Sequence, residues 1–313
     1  MIYTLALAGS TERTLQVAQT LLADKRFKLK FIITPQPKPV GRQQTLIQNP
    51  VHQFAQENQL PIILIDRKLD QKVQLKIETD FAQQSIDFLL VVDFGYLIPQ
   101  WLLKLPKVAP LNIHPSLLPR WRGSSPGQFV LLSGNPKSAV TLMIMSEKMD
   151  EGAIIAQLPF TVDQTWTQTE YYSHSFDLIC KQLGDLIDQF AQNKIKAVPQ
   201  PTDSPTPIAK RLTKQDSFYD WSVIKQAMES GQRADKIERA CRAFYPWPKL
   251  WTKVMTNQGE KRLIIHRCHL SQGEQIEQAT QSKQTKQLIL DQVQWEGKNI
   301  TSWNEAKNSL LEE

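Results

Sequence analysis

Three polar side chains, Asn112, His114 and Asp150, offer the clearest chemistry in this chain of 313 residues. Residues two apart on an extended strand face the same side, so the amide of Asn112 and the imidazole of His114 can converge. Acyl transfer to an amine needs hydrogen-bond donors for the developing oxyanion and a base for the proton of the amine. With the Asp150 carboxylate, these residues predict an enzyme that transfers an acyl group to an amine.

The sequence leaves the role of Asp150 open. Its carboxylate can accept the proton, directly or through water, or it can orient His114 and favour the charged imidazole. Taken singly, each residue also has a structural interpretation, because Asp before Gly is a common turn former and a histidine at a strand end is commonly structural. The combination of the three favours catalysis.

The segment after His114 predicts the shape of the ligand. It runs Pro115, Ser116, Leu117, Leu118 and Pro119, and two prolines around a leucine pair form a rigid loop with apolar walls. Such a loop suits a flat heterocycle.

Short apolar runs that alternate with amphipathic segments predict an α/β fold with a mostly parallel, Rossmann-like sheet. The predicted strands are Tyr3–Ala8, Leu29–Thr34, Pro61–Asp66, Ile86–Asp93 and Leu111–His114. A helix is predicted over Thr11–Lys25, and Asn49 before Pro50 predicts the start of another. Ligands of such sheets bind at the carboxyl ends of strands, which is where Asn112 and His114 are expected. Gly9 is followed by no glycine-rich phosphate-binding motif, so a ligand other than a dinucleotide is expected.

A segment that contains four prolines divides the chain. We predict a catalytic domain over 1–197, a proline-rich linker over 198–209 that is extended rather than packed, and a smaller β-rich, barrel-like domain over 210–313. In the last domain, a helix is predicted over Arg233–Phe244, strands over Leu263–His269 and Leu288–Val293, and a solvated loop over Gln272–Gln287. Residues 206–313 carry 17 basic and 13 acidic side chains, a net charge of +4 of the total of +6.

Composition bears on the partners, the cysteine chemistry and the compartment of the protein. A pI near 9.1 suits an anionic partner without establishing one. The three cysteines form no Cys-x-x-Cys pair, so neither a disulfide framework nor a metal site is expected. No apolar run approaches the roughly 20 residues that span a bilayer. We expect a cytoplasmic protein without a membrane segment.

The run Asn112-Ile-His-Pro-Ser-Leu-Leu-Pro119, followed by Gly123 and Asp150, resembles the folate-dependent formyltransferases. Within them, three further places resemble the family that formylates methionyl-tRNA. They are the loop from Thr34 through Gly41-Arg42 to Val51, the run Arg120-Trp121-Arg122-Gly123, and Asp220-Trp221-Ser222 together with Arg242–Pro248. The resemblance covers nearly the whole chain.

The resemblance implies a role for each site residue. Asn112, His114 and Asp150 would be catalytic, Ser116, Leu117, Leu118 and Pro119 would bind the folate, and Arg42 would help to recognise the tRNA end. The formyl donor would be 10-formyltetrahydrofolate and the acceptor the α-amine of methionyl initiator tRNA, with the chain acting as a monomer. Arg120 and Arg122 are left open between contacts to the tRNA backbone and surface packing.

Two other functions remain open from the sequence. An amino-sugar nucleotide N-formyltransferase would use the same three polar residues, but it gives no purpose to the loop around Arg42 or to the basic C-terminal region. A non-catalytic protein that binds tRNA or folate would be expected to have lost one of the three, and all are present.

Overall fold

The computed structural model describes residues 1–41, 43–272 and 286–310. The chain forms two compact units. Unit 1 contains Met1–Pro126, Lys137–Phe160 and Tyr172–Ile208, and unit 2 contains Gly127–Pro136, Thr161–Tyr171 and Ala209–Glu313. Unit 1 therefore ends inside the predicted linker, while two short segments that precede the linker group with the C-terminal part. The functional division into the three predicted regions stays a prediction.

The described part of the first 161 residues contains nine strands. They are β1 (Tyr3–Gly9), β2 (Phe27–Pro35), β3 (Lys38–Val40), β4 (Thr45–Ile47), β5 (Ile62–Ile65), β6 (Phe88–Val92), β7 (Ala109–His114), β8 (Lys137–Ile144) and β9 (Ile154–Thr161). Seven of them form one sheet in the order β5-β2-β1-β6-β7-β8-β9, and β3 pairs with β4 as a separate hairpin. Strands β5, β2, β1, β6 and β7 are parallel, and β8 runs antiparallel to β7.

The described helices are α1 (Glu12–Ala23), α2 (Pro50–Glu57), α3 (Gln71–Gln84), α4 (Gln100–Leu103), α5 (Pro126–Ser133), α6 (Gln168–Cys180), α7 (Leu183–Ala191), α8 (Trp221–Ser230), α9 (Ala234–Phe244) and α10 (Trp303–Ala306). Short 3₁₀ turns occupy Lys214–Ser217 and Lys307–Ser309. None of the helices in the described part of the chain combines the length and the apolar character needed to cross a bilayer.

The α/β prediction with a mostly parallel sheet is confirmed. Each predicted strand of this sheet is present with its ends moved by at most two residues, as for Leu29–Thr34, which extends to Phe27–Pro35. Strand β1 is apolar on both faces and is buried on both, since its residues Leu5, Ala6, Leu7 and Ala8 are 0% exposed. The Asn49 cap is also confirmed, because its Oδ1 accepts hydrogen bonds from the backbone N–H groups of Val51 and His52.

The C-terminal part of unit 2 contains a four-stranded antiparallel sheet. Its order is β10 (Leu250–Thr256), β11 (Gly259–Leu270), β12 (Leu288–Trp295) and β13 (Thr301–Ser302). Helix α9 buries Ile237 and Phe244 in one apolar cluster with Leu263 and Val293 of the sheet. The predicted helix and both predicted strands are therefore confirmed. The predicted Gln-rich loop lies mostly at 273–285, outside the described residues.

The proline-rich segment differs from its prediction in one respect. Residues 199–208 contain no helix or strand, as expected, and Val198 forms an isolated bridge with Ile154. The segment is nevertheless packed, since Gln200, Ser204 and Thr206 hydrogen-bond to loops of unit 1. Short polar side chains between the prolines supply donors and acceptors that the composition of a connector does not reveal.

Candidate active site

Strand β7 places Asn112 and His114 at the carboxyl end of the sheet. Asn112 lies beside Val91 of β6 in the parallel register, and its Nδ2 donates to the Val91 carbonyl at 3.0 Å. A side-chain amide nitrogen carries two hydrogens. The second N–H of Asn112 has no partner among the described residues, so it remains a donor for a ligand oxygen.

His114 lies between two oxygen atoms and is only 4% exposed. Its Nε2 is 3.1 Å from the carbonyl oxygen of Trp121, and its Nδ1 is 3.6 Å from Oδ2 of Asp150. Because a carbonyl oxygen can only accept, Nε2 carries the hydrogen of that bond. The lone pair of Nδ1 in a neutral ring then faces the Asp150 carboxylate. His114 and Asp150 thus form a pair of acceptors that face each other at 3.6 Å.

Asp150 is held in a tight turn between β8 and β9. Its φ of 56° lies in the left-handed region, which Asp tolerates better than most side chains. The backbone N–H of Gly123 donates to Oδ2 of Asp150 at 2.7 Å. The Asp150 carboxylate therefore has a fixed direction toward His114, although 36 residues separate the two in the chain.

The predicted folate loop is bound mainly to the protein itself. The Ser116 hydroxyl donates to the Arg120 carbonyl at 2.7 Å, and the Leu118 carbonyl accepts from Nε2 of Gln157 at 2.9 Å. Ser116 and Leu118 are buried, while Leu117 and Pro119 are half-buried. Among the described residues, the backbone N–H groups of Leu117 and Leu118 have no partner. The loop thus offers a rigid apolar wall with two free backbone donors, which fits a flat heterocycle that carries hydrogen-bond acceptors.

Arg122 is a buried residue, so surface packing was the wrong alternative for it. Its side chain is 7% exposed, and its guanidinium donates to Oε1 of Gln200 and to the carbonyls of Pro201 and Thr202. Arg120, in contrast, is exposed. The two arginines beside Trp121 therefore have different environments, which their sequence positions do not distinguish.

Arg42, the predicted tRNA contact, lies outside the described residues. Its neighbours form the hairpin of β3 and β4, in which Val40 pairs with Thr45. The exposed side chains of this hairpin include Leu46 and Ile47, at 68% and 51% exposure. Of the predicted site residues, the structure thus brings together Asn112, His114, Asp150 and the folate loop. The role of Arg42 stays a prediction.

Residues 5–187 match the family model described as Formyl transferase. The methionyl-tRNA formyltransferase of Chromohalobacter salexigens is 34% identical over 244 residues, which cover 76% of this chain and 69% of the relative. The chain belongs to the methionyl-tRNA formyltransferase family. The methionyl-tRNA formyltransferase of Pseudoalteromonas translucida is 30% identical over 84% of this chain and 76% of its own length.

Solved structures support the fold of this family member. The sugar 3N-formyl transferase WlaRD, solved with dTDP and 5-N-formyl-THF, has a TM-score of 0.60 and 17% identity over 96% of this chain and 100% of that one. The N-formyltransferase of Helicobacter canadensis has a TM-score of 0.61 at 17% identity over 93% of this chain and 99% of that one. These structures confirm the predicted formyltransferase fold, and the family match and the two relatives confirm the prediction of a formyl-transferring enzyme.

Sequence reasoning missed several residues that hold the site of this formyltransferase. Trp121 and Gly123 stand in the run that carried the resemblance, but neither was predicted to contact His114 or Asp150. Gln200 and Thr206 gave no signal at all, because polar residues between prolines are typical of a linker. Their contacts arise only from the folded arrangement of two distant loops.

Gly152→Ala is expected to destabilise the Asp150 turn. A Cβ at residue 152 would lie 1.8 Å from the carbonyl oxygen of Ile144, so the turn must move away from β8. Overpacking of this kind costs roughly 1–3 kcal/mol of unfolding free energy. Thermal and urea unfolding of the free protein will measure it. Gly95→Ala is the control, because its Cβ would meet no atom within 4 Å. Equal stability of the two variants would contradict the prediction.

Proposed function

We propose that the chain transfers the formyl group of 10-formyltetrahydrofolate to the α-amine of methionyl initiator tRNA. The single observation that carries the proposal is the convergence of Asn112, His114 and Asp150 at one sheet edge in a chain whose relatives are methionyl-tRNA formyltransferases. Asn112 is the proposed donor to the developing oxyanion, since it keeps a free N–H.

The His114–Asp150 pair is the proposed acceptor of the amine proton. Attack of the α-amine on the formyl carbon forms a C–N bond, and the bond from that carbon to the folate nitrogen breaks. The attacking nitrogen loses a proton, the folate nitrogen gains one, and tetrahydrofolate leaves. The pair is suited to take that proton because Nδ1 and Oδ2 face each other at 3.6 Å with both atoms able to accept. In the arrangement described above, the N–H of His114 points at the Trp121 carbonyl. For His114 to stabilise the oxyanion as well, its N–H must break the hydrogen bond to the Trp121 carbonyl and donate to the substrate oxygen instead.

The folate donor supplies the formyl group. The segment from Ser116 to Pro119 is the proposed wall for its heterocycle, through the half-buried faces of Leu117 and Pro119 and the free N–H groups of Leu117 and Leu118. The basic region after residue 206, with its net charge of +4, and Arg42 are the proposed contacts to tRNA.

We propose a cytoplasmic monomer, because the three proposed catalytic side chains come from one chain and the tRNA substrate is cytoplasmic. Among the described residues, no group of three or more His, Cys, Asp or Glu side chains could hold a metal ion.

An acceptor assay tests the proposal. The purified protein is incubated with 10-formyltetrahydrofolate and either charged methionyl initiator tRNA or an amino-sugar nucleotide. We expect formyl-methionyl-tRNA and no formylated sugar. Omission of the folate is the control for each acceptor. Formylation of the sugar alone, or of neither acceptor, would overturn the proposal.

A further inference from the structure

We propose that the segment of residues 200–206, here called the positioning segment, is part of the active site, where Gln200 and Thr206 hold the two groups that contact His114. The inference rests on the proposed function for its kinetic consequence, but its geometry lies wholly within unit 1. Neither residue touches the reacting atoms. Both act through the backbone of the loops on either side of the imidazole.

Thr206 fixes the loop on the Nε2 side of His114. The carbonyl of Trp121 lies 3.1 Å from Nε2, and the N–H of the same residue donates to Oγ1 of Thr206 at 2.7 Å. Trp121 has a φ of 61°, a conformation that a bulky side chain adopts only when its surroundings impose it. The Thr206 hydroxyl supplies such a constraint. Ser204 supports the same loop, since its Oγ donates to the Pro119 carbonyl at 2.8 Å.

Gln200 fixes the loop on the Nδ1 side. Its Nε2 donates to the carbonyls of Asp150, at 2.8 Å, and of Gly152, at 2.7 Å. These two carbonyls flank Glu151, so one amide group holds both ends of the turn. The left-handed backbone of Asp150 is thereby kept in the orientation that directs its carboxylate toward His114.

Arg122 sets the orientation of the Gln200 amide. Its Nη2 and Nε lie 3.0 and 3.2 Å from Oε1 of Gln200, and Nη2 also donates to the Pro201 carbonyl at 2.7 Å. An arginine has only donors, so the amide oxygen must face it and the amide nitrogen must face the carbonyls of the turn. The head group of Gln200 has one orientation that satisfies all of these partners.

The two oxygens that contact His114 are therefore held by a single stretch of seven residues. A catalytic group displaced by about 1 Å can lose about a hundredfold in rate. Loss of the Gln200 or the Thr206 hydrogen bonds is expected to lower turnover while the substrates still bind, because among the described residues neither side chain hydrogen-bonds to the folate wall.

The kinetic test compares isosteric changes in the full-length protein. Gln200→Glu keeps an oxygen toward Arg122 but turns a second oxygen toward two carbonyls, and Thr206→Val removes only the hydroxyl. Each is expected to lower kcat by about 10–100-fold with KM for the folate donor changed less than about threefold. Thr206→Ser restores the hydroxyl and should recover most of the loss. The controls make the same changes at exposed positions of α3, Gln83→Glu and Thr79→Val.

A second readout does not depend on turnover. The ring ¹⁵N chemical shifts of the five histidines report which nitrogen carries the hydrogen and what it contacts. The His114 signals are assigned by their disappearance in His114→Gln. Thr206→Val, which changes no charge, is expected to shift the His114 signals more than those of the other four, whereas Thr206→Ser and Thr79→Val leave them in place.

The outcomes separate the two proposals. If the wild type formylates methionyl-tRNA while Gln200→Glu and Thr206→Val keep kcat within about threefold and the His114 signals do not move, the positioning role is wrong. If the wild type formylates nothing but the His114 signals shift in Thr206→Val, the proposed function fails and the positioning role stands. If Thr206→Val does not fold, the kcat of Gln200→Glu decides whether the positioning role holds, provided that this variant has the melting temperature of the wild type.

Discussion

Asp150→Asn is expected to lower kcat for formyl transfer to methionyl-tRNA by roughly 10²–10⁴-fold. The asparagine has the same shape, and its oxygen can still accept from the Gly123 N–H, so the turn should keep its conformation. The neutral amide cannot take a proton and cannot make a proton on Nδ1 of His114 favourable. The loss should therefore appear in kcat measured with both substrates at saturation, with little change in either KM.

The matched control for that change is Asp70→Asn. Asp70 is the exposed N-cap of α3, where its carboxylate accepts from the Val73 N–H at 3.0 Å. Asn caps a helix about as well as Asp, so this variant should match the wild type in both kcat and melting temperature. A purified Asp150→Asn protein with near-full turnover would remove Asp150 from the catalytic group.

His114→Gln is expected to cause a loss of similar size, roughly 10²–10⁴-fold in kcat. The glutamine amide can replace the contact of Nε2 with the Trp121 carbonyl, but it offers no basic nitrogen toward Asp150. The double variant with Asp150→Asn is the sharper measurement. Residues that act as one unit give strongly non-additive losses, so the double variant should be about as slow as the slower single one.

The control for the histidine is His269→Gln in β11. His269 pairs with Asp291 at 2.9 Å, and its side chain is 56% exposed, so both histidines face a carboxylate but only one is buried. This variant should keep the wild-type kcat. Fully additive losses in the double variant would contradict a shared proton and would leave the two residues with independent roles.

The local parts of this protein could be predicted from its sequence. Apolar runs such as Tyr3–Ala8 identify buried strands, because a strand covered on both faces must be apolar at every position. The Asn49-Pro50 pair identifies a helix start by capping chemistry alone. The order Asn112, His114 on one strand indicates that both side chains face the same side, since the period of a strand is two. Each of these inferences depends on neighbours within a few residues.

The fold decided what distant residues do to one another. The sequence leaves Arg122 open between a contact to the tRNA backbone and surface packing, whereas the structure buries it against Gln200, which lies 78 residues further along the chain. The ends of the strands differ from the predicted ones by up to four residues for a related reason, because pairing with a neighbouring strand determines where a strand stops. Such effects leave no local pattern.

The sequence by itself therefore determined the fold class, the family and the choice of the proposed catalytic side chains, because these depend on residue types at short spacing. Only the tertiary structure decided how the side chains are held. It placed the Trp121 carbonyl and the Asp150 carboxylate on opposite sides of the His114 ring, and it brought the positioning segment against both loops. The physical reason is that a hydrogen bond depends on the distance between two atoms in space. The packing of the whole sheet determines which loops come that close when 50 or more residues separate them in the chain.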